Sequence, residues 1–169
     1  MIAVIQRVAR ARVDVDGETV GSIEHGLLVL LGIAKGDDAS DSAWMVKRIT
    51  HLRIFADGAG KMNCDVQQVH GSVLLISQFT LLADVSSGNR PGFSGAEVPQ
   101  LARERCESVA RAIEAMGIPT ARGVFGADML VSLENDGPVT ITLDSRGHTP
   151  TIATATRVDR VENDRATDR

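Results

Sequence analysis

Two nearly continuous apolar runs limit what this chain can become: Gly-Leu-Leu-Val-Leu-Leu-Gly-Ile-Ala at 26–34 and Ser-Val-Leu-Leu-Ile-Ser-Gln-Phe-Thr-Leu-Leu-Ala at 72–83. A strand with one wet face alternates; one that is apolar at nearly every position must be covered on both faces. The longest uninterrupted stretch is far too short to cross a bilayer. The covering layers are supplied by two helical patterns. The first is predicted at about 39–51, with Asp38 or Ser40 as its cap and Ala43, Val46 and Ile49 on one face. The second starts near Pro99, a residue tolerated in a first turn. Its stripe is Leu101, Ala102, Cys106, Val109, Ala110, Ile113 and Met116, and Gly117 and Pro119 stop it.

The remaining segments read as antiparallel strands. Residues 2–8 and 11–15 have strand character, Asp16-Gly17 signals a hairpin, and 18–23 returns. Residues 52–55 are predicted as a short strand, and "ARGVFG", "DMLVSLEN" and "PVTITLDS" as three more. Asn135-Asp136-Gly137 is an adequate hairpin turn between the last two, yet Pro138 follows it and removes a ladder donor. The sum is α+β. Residues 146–169 carry five Arg and four acids among few apolar side chains. They are expected to be a loosely attached extension of a single domain spanning 1–145.

Bulk chemistry excludes several functions. With four Phe, one Trp and no Tyr, a single-strand binder that stacks bases on aromatic platforms is disfavoured. A net charge of −4 argues against a long phosphate grip, so any nucleic-acid contact should be small and local. Cys64 and Cys106 show no metal or redox spacing and read as buried or half-buried thiols. None of the four histidines pairs with another at ligand spacing, so no metal and no cofactor are expected. The apolar-then-basic start reverses the order of a signal peptide, and the expected location is the cytoplasm, without membrane contact.

Three stretches invite chemistry. In "SQFT" (77–80), either Gln78 and Thr80 share a solvated face, or the strand end presents hydroxyls, an amide and N–H groups to a ligand. Thr80 as nucleophile has no activating neighbour in sequence. "SSGNRPGF" (86–93) is a mobile connection or a phosphate loop gripped by Arg90. The glycines around Phe125 in "GVFGADM" (123–129) suggest a bulge or a close backbone approach.

Taken together, "QRV" (6–8), "VDGETVGSI" (15–23), "GLLVLLGIAKGD" (26–37), "LRIFADGAGKMN" (52–63), "SQFTL" (77–81), "RPGF" (90–93), "GVFGADM" and "NDGPVT" (135–140) resemble the D-aminoacyl-tRNA deacylases over nearly all of 1–145. "SQFTL" and "NDGPVT" in this order form the specific part of the signal. Gly92 departs from the serine usual in that family. The resemblance implies an α+β fold with antiparallel and mixed sheets curved toward a barrel and covered by two main helices. It further implies a homodimer that hydrolyses the ester joining a D-amino acid, or glycine, to the 3′-terminal adenosine of tRNA. It assigns Ser77, Gln78, Phe79 and Thr80 to catalysis. Gly137, Pro138, Arg7, Phe125, Ala127, Met129 and Asn135 fall on the substrate side. In the family the bond corresponding to Gly137–Pro138 is cis and reaches into the partner's pocket, where its carbonyls bar L-residues; Arg7 braces it. Catalysis is expected from the ribose 2′-hydroxyl and from N–H groups near Phe79 and Thr80, with Thr80 as the rival nucleophile. The alternatives are a non-enzymatic nucleic-acid binder of the same fold and a Thr80-dependent small-molecule esterase.

Overall fold

One long strand organises the molecule. In the computed structural model, which describes residues 1–147, β1 runs unbroken over Ile2–Val15 and pairs with three other strands. On one edge its first half meets β3 (Gly26–Gly32) and its second half β2 (Glu18–Ile23), both antiparallel. On the other edge it pairs with β8 (Leu130–Asp144) from Ile2↔Asp144 to Asp14↔Leu130. Beyond β3 lie β6 (Ser72–Ser77) and β7 (Thr120–Arg122), both parallel to their neighbours. A small hairpin, β4 (Phe55–Ala56) with β5 (Met62–Cys64), stands apart. The six-stranded mixed sheet is nearly closed into a barrel: a Cβ added to Gly21 in β2 would lie 2.6 Å from the Arg122 carbonyl oxygen in β7. Only glycine lets these two strands approach so closely.

The apolar runs are now explained. Leu27, Val29, Leu31, Val73 and Leu75 point outward into a core shared with α1 (Ala39–Thr50) and α2 (Pro99–Ala115), where Met45, Ile49, Val109 and Ile113 meet them. Leu28, Leu74 and Ile76 point the other way, filling the barrel interior with Val8, Ala11, Val13 and Ile23. Asp38 caps α1 in a full capping box: its side chain accepts from the Ser40 and Asp41 N–H groups while Asp41 accepts from Asp38 N–H. Those bonds, the Ser40 hydroxyl foremost, hold the Asp38 carboxyl below its usual range. The Met1 amino group is buried, 2.7 Å from Asp37 Oδ1 and 2.6 Å from Ser145 Oγ. Asp37, 4% exposed, also accepts from Ala34 N–H. A buried carboxylate is tolerable only with such partners, and this set ties the start of β1 to the end of β8.

Several sequence expectations need correction. Residues 2–8 and 11–15 form one strand, and so do 130–144: no hairpin forms at Asn135-Asp136-Gly137. A partner as long as β1 accepts both halves of β8 in line, so tertiary pairing overrides the local turn signal. The run 72–83 leaves the sheet at Ser77 and tightens into a 3₁₀ turn over Phe79–Leu82. Residues 52–54 are not strand, and "ARGVFG" is strand only to Arg122. In α2, Cys106, Val109, Ala110 and Ile113 are buried as expected, whereas Leu101 is exposed. The expected extension lies, from His148 on, outside the described residues. Among the described residues no helix is long and apolar enough to cross a membrane, and no group of three or more His, Cys, Asp or Glu could hold a metal.

Leu74 has no exposed surface and belongs to the smaller interior cluster. Leu74→Ala should lower the unfolding free energy by about 2–5 kcal/mol, the usual cost of a cavity at a closely packed aliphatic site. Urea denaturation followed by circular dichroism measures it, with an unchanged m-value expected.

Candidate active site

Where β6 ends, the chain turns away from the sheet. Gln78 N–H still donates to Leu31 C=O at 2.8 Å, and the 3₁₀ turn begins at the next residue. The first N–H groups of any helical turn lack intrahelical acceptors. Phe79 and Thr80 open this turn, and Phe79 lines a cavity of about 720 Å³. Ser77, Gln78 and Phe79 line it on this side. Opposite, Phe125, Gly126, Ala127 and Met129 line it from the turn between β7 and β8, closed by Ala127 N–H donating to Val124 C=O at 3.2 Å. The entry to α2 supplies a third wall, with Cys106 on it. Burial pushes the Cys106 thiol up to about 12, so it is a protonated apolar wall and not a nucleophile. Phe79 is 58% exposed, and Phe93 meets it edge-on at 5.0 Å between centroids.

Thr80 differs from its neighbours. It is exposed, is not among the residues lining the cavity, and its hydroxyl accepts from the Gln78 amide. No histidine, carboxylate or lysine hydrogen-bonds to that hydroxyl among the described residues. Gly92 exchanges two backbone hydrogen bonds of 2.8 Å with Asp84, and a Cβ there would meet only Asp84 O at 3.7 Å. A serine would fit, so the departure at Gly92 leaves this loop's path intact. Arg90 is exposed on the same loop.

The other predicted residues gather elsewhere. Gln6 faces Thr140 and Val8 faces Asn135, so Arg7 alone stands opposite Asp136, Gly137, Pro138 and Val139. This outsized bulge carries the Gly137–Pro138 peptide bond, which is cis. Gly137 has φ +124, and an added Cβ would lie 2.8 Å from Arg7 Nη2 and 2.8 Å from Val139 Cγ2. Both the backbone angle and the space require glycine. Arg7 Nε donates to Asp136 C=O at 3.1 Å and lies 3.0 Å from Asp136 Oδ2, while Nη1 donates to Ile54 C=O. The guanidinium fork thus pins the bulge to the loop after α1.

Asn135, predicted to face substrate, is committed to its own strand. Its Oδ1 accepts from Val139 N–H at 2.9 Å, and its Nδ2 donates to Thr140 Oγ1 at 3.0 Å. Gln6 Nε2 donates to the same hydroxyl at 3.3 Å. These bonds close the bulge at its base, a role that no local pattern in the sequence announces. Asp136, Gly137 and Pro138 project into solvent, and none of them lines the cavity of their own chain.

Asn135→Ala should destabilise the fold by about 1–3 kcal/mol, because the Val139 N–H loses its acceptor. Asn135→Asp keeps that acceptor and should cost less. Urea unfolding of both variants checks the order.

Similarity to known proteins follows the same residues. The family model for D-Tyr-tRNA(Tyr) deacylase matches residues 4–144. A D-aminoacyl-tRNA deacylase of Geobacter sulfurreducens is 52% identical over 146 residues, covering 86% of this chain and 96% of that protein. One of Anaeromyxobacter dehalogenans is 53% identical, covering 86% and 98%. Among solved structures, one titled c-Myc DNA Unwinding Element Binding Protein superposes with a TM-score of 0.82 at 40% identity, covering 86% of this chain and 99% of that one. A probable eukaryotic D-amino acid tRNA deacylase, at 15% identity and a TM-score of 0.69, shares the fold. With matches of this length and identity, the chain belongs to the D-Tyr-tRNA(Tyr) deacylase family.

Proposed function

We propose that this chain hydrolyses the ester between a D-amino acid, or glycine, and the 3′-terminal adenosine of tRNA, as a cytoplasmic homodimer whose subunits complete each other's sites. Family membership supports the reaction. One observation supports the shared site: Gly137 and Pro138 stand exposed on β8, away from the cavity lined by Ser77, Gln78, Phe79 and Phe125. A second copy docked by its β8 face would bring the missing wall. The Gly137 and Pro138 carbonyls, on the bulge that Arg7 pins through Asp136 C=O, then face the substrate α-carbon. A hydrogen fits against them and a side chain does not, so L-residues are refused by exclusion, which suits an enzyme surrounded by abundant L-aminoacyl-tRNA.

Water attacks the ester carbonyl, and the negative charge that develops on its oxygen is met by the Phe79 and Thr80 N–H groups. The ribose 2′-hydroxyl lies next to the leaving oxygen and can polarise it. The breaking C–O bond leaves its electron pair on the ribose oxygen, which takes a proton. Thr80 as nucleophile is disfavoured because its hydroxyl accepts from Gln78 and, among the described residues, no base hydrogen-bonds to it. The 40%-identical relative's title ascribes DNA binding to that protein; duplex DNA binding by this chain, without ester hydrolysis, would favour the binder reading instead.

Purified protein should deacylate D-aminoacyl-tRNA and spare the matched L-aminoacyl-tRNA; equal rates, or none, would remove the proposal. Thr80→Ala should retain near-normal turnover, whereas a 2′-deoxy substrate should be almost inert. Arg7→Lys loses the fork, and the D-over-L ratio should fall by roughly tenfold or more, the worth of one charge-assisted bond.

A further inference from the structure

The adenosine that carries the ester is joined through its 5′-phosphodiester to the rest of the RNA. Any pocket that takes the ester therefore has a phosphate one nucleoside away. We infer that Lys35, which lines the cavity, and Arg103, stacked on the cavity residue Phe125, bind this phosphodiester; the subsite rests on the deacylase reading above.

Lys35 is the one cation among the described residues lining the cavity, and it is exposed. Its backbone is fixed beside the entry to α2: Lys35 N–H donates to Gly95 C=O at 2.9 Å, Ala34 bridges to Ala96, and Glu97 N–H donates to Ile33 C=O at 3.0 Å. Arg103 follows on the first turns of α2, with its guanidinium 5.2 Å from the centroid of Phe125, itself a wall of the cavity. Stacking on a ring occupies the guanidinium face and leaves its N–H edges open to an anion. Neither Lys35 nor Arg103 enters an ion pair among the described residues, so no carboxylate competes for either charge. The other charged residues lining the cavity are Glu97, whose Oε1 accepts from Val98 N–H at 2.9 Å, and Asp128, which is exposed. Both repel a phosphate, which leaves the Lys35 and Arg103 side as its place. A two-cation grip also suits a chain of net charge −4, which cannot hold a long RNA surface.

The test compares D-aminoacyl-tRNA with D-aminoacyl-adenosine, which has the ester but no phosphate, using the full chain and Lys35→Ala, Arg103→Ala and the double variant. On the tRNA substrate each substitution should raise KM roughly tenfold with kcat nearly unchanged, and should flatten the slope of log KM against log salt by about 0.7. On the adenosine ester the difference between parent and variants should shrink to within about twofold, since the contact removed is not used. Arg103→Lys should recover part of the KM and most of the salt slope. Parental KM on the tRNA substrate in the double variant would overturn the inference. So would equal losses on both substrates, which would reveal a packing role through Phe125. If the parent hydrolyses neither D-ester, the deacylase reading itself falls, and the subsite with it.

Discussion

The pairing of β1 with β8 is the constraint on which the rest depends. Ile2–Asp14 of β1 runs antiparallel to all fifteen residues of β8, and the two are matched at both ends. The surplus in β8 has nowhere to go but outward. It leaves the ladder opposite Arg7, where four residues face one, and a lone bulge of that size would wander unless tied. Arg7 ties its outer limb to the loop after α1, and Asn135 with Thr140 closes its base. Because matched pairs flank the bulge on both sides, its position is set by the register of the whole barrel. A slip of one residue would turn Val139, Ile141 and Leu143 out of the core.

The same barrel builds the cavity. β6 lies between β3 and β7, so its C-terminal end opens directly beneath the turn that follows β7. "SQF" and "FGADM", far apart in sequence, therefore face each other across one opening. The outward faces of β3 and β6 are paired with helices, and this fixes where α2 begins and hence where Lys35 and Arg103 stand. Packing and site are one arrangement: the strands that need cover on both faces recruit the helix whose entry forms the third wall.

How much of this was legible in the sequence follows from the range of the forces involved. The two apolar runs announced doubly covered strands because burial acts residue by residue. Asp38 announced α1 because capping is local, and Cys106 read as a buried thiol because it shares the α2 stripe. The continuity of β8 could not be read. Asn-Asp-Gly is good turn chemistry on its own, and only the length of β1, more than a hundred residues away, decides against a turn. The site divides likewise. The candidates at 77–79 and 125–129 drew notice as polar or glycine-rich breaks in apolar strands, yet only their resemblance to a family marked them as functional. Thr80 was assigned to catalysis by the family resemblance, and in the structure its exposed hydroxyl is taken up by the Gln78 amide. Asn135 was assigned to substrate because it belongs to the same motif as Gly137, although its amide serves the strand. Lys35 and Arg103 carried no local signal, since a lone cation beside an aspartate pair or within a helix looks like any solvated charge.

Backbone and side chain divide the proposed work in a way that the geometry makes intelligible. Telling a D- from an L-residue means distinguishing a hydrogen from a carbon at one position, so the gauge must not yield by more than a fraction of an ångström. A side chain is a poor gauge, because it can leave one rotamer for another at a cost of order 1 kcal/mol. A backbone carbonyl in a bulge flanked by ladder bonds and pinned by a guanidinium can move only if the strand pair moves with it. Holding the RNA end imposes the opposite demand, since a phosphate must be captured and released on every turnover. Flexible, hydrated cations at an open rim suit that task, and a rigid pocket does not. In the proposed reading a pinned backbone element judges handedness, and exposed cations meet the polymer where it arrives and leaves.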